Sequence, residues 1–162
     1  MSYSFWEVVE KSKENSGEDW ESRPESLKAI LLKLSAEEII KFNNDYRCKL
    51  NEAYRWDLWG AAYLINGGCS DDGFDYWRDF LISEGESIYE AALNSPDSLA
   101  KLDDIEEAEL EEYRYAIDEA YEQLTGNEMP EDNIEYPAEP KGEEWDEDNL
   151  ETMFPKLAEK YG

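Results

Sequence analysis

Apolar residues recur every three or four positions along most of this chain, and that period predicts a protein built of helices. In the opening segment SFWEVVEKSKEN, Phe5, Val8 and Val9 fall at helical spacing with Trp6 beside them, and Ser4 and Glu7 stand at capping-box spacing. Past Gly17, Pro24 is placed to begin a second helix whose stripe is Leu27, Ile30, Leu31 and Leu34. Ser35 and Glu38 repeat the capping-box spacing ahead of the longest periodic run. On it Ile39, Phe42, Tyr46, Leu50, Ala53, Leu58, Ala61, Ala62 and Ile65 trace one face. Asn66 and Gly67, which tolerate left-handed backbone angles, end the run. Ser70 or Asp71 caps the next helix, with Phe74, Trp77, Phe80 and Leu81 inward.

Gly85 breaks that helix, ESIYEAAL forms a short one after it, and Pro96 stops simple continuation. A further amphipathic helix over 107–126 lines up Leu110, Tyr113, Ile117, Ala120, Tyr121 and Leu124. Residues 127–146 hold three of the six prolines among many acids, the pattern of an extended arm. NLETMFPKLAEKYG forms a last short helix whose start Pro155 restricts. No strand pattern and no internal repeat stands out. The expected fold is all-α: one compact multi-helix domain over 1–126, and an acidic, partly extended arm over 127–162 that packs on it or extends from it.

Charge changes this picture more than composition does. Forty-two Asp and Glu face fifteen Lys and Arg, a net charge of −27 at pH 7. At 41% hydrophobic residues, a chain of this length still buries a substantial core. Twenty-one of the acids lie in 103–151, where Arg114 and Lys141 are the bases. Such a surface repels nucleic acid and anionic membranes and attracts a basic protein. The acids expected to meet that partner include Glu106, Glu109, Asp118, Glu122, Glu143, Glu144 and Asp146. Cys48 and Cys69 are the two cysteines, read as free thiols in a reducing, cytoplasmic setting. The N-terminus has no signal-peptide pattern, and no stretch is long and apolar enough to span a membrane.

The chain has no histidine, which removes the usual general base, the Ser-His and Cys-His pairs and His-containing zinc sites. NGGCSDDGFDYW, residues 66–77, holds the densest candidate chemistry. It lacks the Gly-Lys-Ser/Thr of a phosphate loop and the ligand spacing of an EF-hand. Two readings stay open for Asp71, Asp72 and Asp75: a cluster favoured by the helix dipole at an N-terminus, or a carboxylate group that meets a metal or partner. Asp57 and Arg78 both lie close to the apolar faces of consecutive helices, and are expected to meet across the hairpin as a partly buried ion pair with a structural role. Trp56 and Trp59 cannot both share one stripe, so one of them faces another layer or a partner.

Residues 55–100 resemble a bacterial family labelled domain of unknown function 4240, a likeness extending back to SFWEVVEKS and LSAEEIIKF. The family's motif falls on Trp6, Asp57, Leu58, Trp59, Ala61, Ala62, Gly67, Ser70, Asp71, Asp72, Phe74, Arg78, Leu81, Gly85, Tyr89, Pro96 and Leu99. The resemblance implies a helical domain and supplies no activity; the acidic segment after residue 100 lies outside the motif. The combined expectation is a non-enzymatic acidic protein with no cofactor and no resident metal. It would engage a basic protein partner, such as a toxin or a nucleic-acid-binding protein, as an immunity protein, inhibitor or nucleic-acid mimic does. The alternative is a carboxylate-based metal-dependent enzyme or regulatory module on the 57–78 hairpin, using Asp57, Asp71, Asp72 and Asp75 near Arg78; Trp59, Ser70, Asp71, Asp72 and Asp75 form the candidate motif cluster there.

Overall fold

Helix start and stop signals divide the chain much as its periodicity implies. The structure is a computed structural model that describes residues 4–102, 105, 108–132 and 134–161. Among these are nine α-helices: α1 (Phe5–Ser16), α2 (Arg23–Leu31), α3 (Ala36–Glu52), α4 (Trp56–Asn66), α5 (Asp71–Ser83), α6 (Glu86–Asn94), α7 (Glu111–Thr125), α8 (Leu150–Met153) and α9 (Pro155–Tyr161). Short 3-10 turns at Trp20–Ser22, Pro96–Lys101 and Glu147–Asn149 connect them, and no strand occurs among the described residues. The fold is all-α.

The capping box at α3 forms as expected: Ser35 Oγ accepts from the Glu38 amide at 3.2 Å, and Glu38 Oε1 accepts from the Ser35 amide at 3.0 Å. The one expected at α1 does not, because Ser4 is extended but its side chain makes no capping bond. Gly67 closes α4 with φ 66°, a left-handed position that suits glycine.

The long run expected over 35–65 is two helices. Arg55 is extended, with φ −135° and ψ 144°. There the Tyr54 carbonyl accepts from the Lys141 amide, and the Trp56 amide donates to the Lys141 carbonyl, both at 2.9 Å. The periodicity survives the break: all nine residues of the stripe are buried. The C-terminal helix is also split, into α8 and α9 at Phe154 and Pro155.

One hydrophobic core joins residues from Phe5 to Leu157. The C-terminal segment is therefore packed on the helical domain rather than extending from it. Its anchor is Gly60, in the middle of α4. A Cβ added there would lie 2.8 Å from Leu150 Cδ2, 3.1 Å from Trp145 Cδ1 and 3.2 Å from Phe154 Cε2. Asp97 fixes the start of α9, its carboxylate accepting from the amides of Lys156 at 3.1 Å and Leu157 at 2.8 Å. Leu124 departs from its expected stripe and is exposed, in the last turn of α7 before Gly126.

Candidate functional site

Two neighbouring clefts and one groove gather most of the candidate chemistry. The first cleft, of 170 Å³, is lined by Asn51, Tyr54, Asp71, Asp72, Asp75 and Arg78, together with Tyr136 and Pro137. Ser70 is the N-cap of α5, its hydroxyl accepting from the Gly73 amide at 3.0 Å. That start places Asp71 and Asp72 in the first turn, where the helix dipole favours negative charge. Asp71 accepts from the Tyr54 hydroxyl at 3.4 Å. Ser70→Ala removes the cap and is expected to cost about 1 kcal/mol, read as a lower urea midpoint at unchanged m-value.

Asp75 turns to a different task. It accepts from Arg78 Nη2 at 2.8 Å and Arg114 Nη2 at 2.9 Å. Arg114 also grips Asp79, with Nε 2.9 Å from Oδ2 and 3.1 Å from Oδ1, while the Tyr46 hydroxyl donates to Asp79 Oδ1 at 2.5 Å. Asp79 is fully buried. Burial pushes its carboxyl up to about 7, against the downward pull of Arg114 and of the Tyr46 hydroxyl. Burial alone would lower Arg114, but the Asp79 and Asp75 carboxylates outweigh it and hold the guanidinium above its usual range. This network ties α3, α5 and α7 together.

The expected pair of Asp57 and Arg78 does not form. Asp57 takes Arg55 instead, at 2.6 Å, and its Oδ1 accepts from the amide of Leu58 at 2.8 Å. At the first turn of α4 that carboxylate caps its own helix end, so it stays on that side of the hairpin. Arg78 points elsewhere: Nη1 donates to the Leu50 carbonyl at 2.6 Å, and the guanidinium carbon lies 4.6 Å from the Tyr54 ring centroid and 5.1 Å from that of Phe74. Burial lowers its pKa against the attraction of Asp75. Asp57 lines the second cleft, of 610 Å³, with Glu52, Arg55, Leu93, Lys141, Gly142, Glu143 and Met153.

The tryptophans settle into layers. Trp59 stacks on Phe74 at 5.3 Å and 8°, and its Nε1 donates to the Cys69 carbonyl at 2.9 Å, so it braces the turn before α5. Trp56 stacks on Trp59 at 5.2 Å and meets Trp145 edge-on at 6.3 Å, so its second layer is the C-terminal segment. Cys48 and Cys69 are free thiols. Burial, with Glu109 and Asp71 nearby, pushes Cys69 up to about 11, which leaves it a protonated, weak nucleophile at neutral pH.

Of the cluster Trp59, Ser70, Asp71, Asp72 and Asp75, the carboxylates alone face the first cleft, and Asp75 is already engaged by two arginines. Among the described residues no group of three or more Asp, Glu or Cys side chains converges as metal donors.

The groove runs between α2 and α7 and has a volume of 470 Å³. Glu21, Glu25, Glu109, Glu112 and Glu119 line it with Trp20, Pro24, Leu110, Tyr115 and Ala116, and Lys28 is its one base. Glu119 meets Lys28 at 4.0 Å. The acids singled out in the sequence are not drawn into one place. Glu109 lies in this groove and Glu143 in the second cleft, while Glu122, Glu144 and Asp146 are exposed elsewhere. Asp118 is half-buried and raised by that burial against Arg47. Glu106 lies outside the described residues. Glu21, Glu25, Glu112 and Glu119 were missed, because their approach depends on α2 packing against α7. No helix is long and apolar enough to cross a membrane among the described residues.

Residues 2–123 match the family described as "Protein of unknown function (DUF4240)", and the chain belongs to it. No curated protein and no solved structure matches the chain. The match covers α1 to α6 and most of α7; the arm and the C-terminal helices lie outside it.

Proposed function

We propose that this is a non-enzymatic binding protein that presents carboxylates to a basic protein surface, as an immunity protein or an inhibitor of a nucleic-acid-binding protein does. The α2–α7 groove carries the reading: five glutamates and two aromatic rings border it against a single lysine. A lysine or arginine side chain fits such a groove, with carboxylates for its charge and the Trp20 and Tyr115 faces for its stem and cation. The acids around it are also free to act outward. Of the described Asp and Glu from 109 onward, Glu119 is the one within 4.0 Å of a base. Two free thiols suit a reducing cytoplasm.

Titration with deca-lysine tests this. Affinity is expected to fall at least about tenfold between 50 and 200 mM salt, because exposed charges are screened over a Debye length of about 10 Å. At the lower salt, combining Glu109→Gln, Glu112→Gln and Glu119→Gln is expected to weaken binding about tenfold, each exposed contact contributing under about 1 kcal/mol. The matched triple Glu10→Gln, Glu14→Gln, Glu86→Gln keeps the net charge change and leaves the groove intact. Equal losses in the two triples, or salt-independent binding, would sink the groove assignment.

A further inference from the structure

Both clefts that hold the family's motif residues draw part of their lining from the same short stretch of chain outside the family match. Tyr136 and Pro137 line the first with Asp71 and Arg78, and Lys141 and Gly142 line the second with Asp57. Among the described residues, its hydrogen bonds to the helical domain are few. Lys141 exchanges its two backbone hydrogen bonds with Tyr54 and Trp56, and the Asn51 side chain donates to the Glu135 carbonyl at 3.1 Å. No residue from 134 to 142 is buried. Beyond it, by contrast, Leu150, Phe154 and Leu157 are sunk in the core against α4 and the turn that supplies Asp97.

We infer that residues 134–142 are a releasable strap, which opens as a local unit while the C-terminal helices stay docked and so controls access to both motif clefts. Local opening is cheap where few apolar contacts are lost and hydrogen bonds already lie near solvent, and both conditions hold along this stretch. The buried anchor on its far side keeps the released strap close to its seat, so reclosure is intramolecular. Opening bares the Tyr54 carbonyl and the Trp56 amide, and withdraws Tyr136, Pro137, Lys141 and Gly142 from the cleft linings while Met153 stays in place. This device is independent of the binding reading above and stands or falls by its own measurement.

Native-state amide exchange on the full chain provides it. The Trp56 and Lys141 amides are expected to exchange about 100-fold or more faster than that of Ala62, inside α4. Rates equal to Ala62's would mean that the strap opens only with the whole fold, and would overturn the inference. Lys141→Pro then deletes one of the two bridge hydrogen bonds. It is expected to speed Trp56 exchange a further threefold or more, leaving Ala62 and Leu157 unchanged. Equal acceleration of Ala62, or no change at Trp56, would count against a strap that releases alone.

Discussion

Arg114→Leu is expected to lower the unfolding free energy by about 3–5 kcal/mol, the usual cost of stranding one partner of a buried ion pair. For a chain of this size that corresponds to a melting temperature lower by about 6–20 °C. Arg114 is the base that grips Asp79, and Asp79 has no exposure to water. Without the guanidinium, the burial that already holds the Asp79 carboxyl at about 7 acts with little opposition and raises it further. In the unfolded chain the same group titrates near its ordinary value of about 4. The folded state thus binds an extra proton between those values, and this group withdraws stability as pH rises through the window. In the variant the window reaches to higher pH, so its deficit against the parent protein is expected to be larger at pH 8 than at pH 5. Urea unfolding of both proteins at the two pH values checks this. A deficit that shrinks toward pH 8 would show that Asp79 does not carry the effect.

Gly60→Leu is expected to be nearly as damaging, at about 3 kcal/mol or more, for a steric reason. The first atom of any side chain at this position would meet Leu150, Trp145 and Phe154 within 3.2 Å. Those side chains cannot retreat without uncovering α4, so the C-terminal segment must shift or leave. Gly60→Ala brings the same first atom but regains about 1 kcal/mol of helix propensity, and its net cost is expected to stay below about 2 kcal/mol. Thermal unfolding should order the three proteins as glycine, alanine, leucine. Limited proteolysis should cut the leucine variant fastest between 127 and 149. A leucine variant as stable and as resistant as the parent would mean that the C-terminal helices are not seated on α4.

Arg114 stands beside Tyr113 on the α7 stripe, and Asp75 and Asp79 lie one turn apart on α5, so an inward cluster was partly legible. Its partners were not, because α3, α5 and α7 are brought together only by the packing of the whole core. The same limit explains Asp57 and Arg78. Each lies beside an apolar face as read, yet a carboxylate in the first turn of α4 has the nearby Arg55 and its own helix end to satisfy it. The long run over 35–65 kept its buried face but hid a break, because period measures which side faces inward and is blind to a two-residue backbone pairing with Lys141.

By itself the sequence determined the all-α class, the inward stripes apart from Leu124, the caps at Ser35 and Ser70, and a large excess of acid, all of which follow from local spacing, intrinsic backbone preferences and residue counts. It also carried the family resemblance that the 2–123 match bears out. Tertiary structure alone decided that the acidic arm is bound down at Gly60 and Lys141, that Asp79 and Arg114 pair inside the core, and that glutamates from α2 and α7 share one groove. Each of these depends on residues far apart in the chain meeting at a few ångströms, a distance set by how the helices pack rather than by any pattern within one of them.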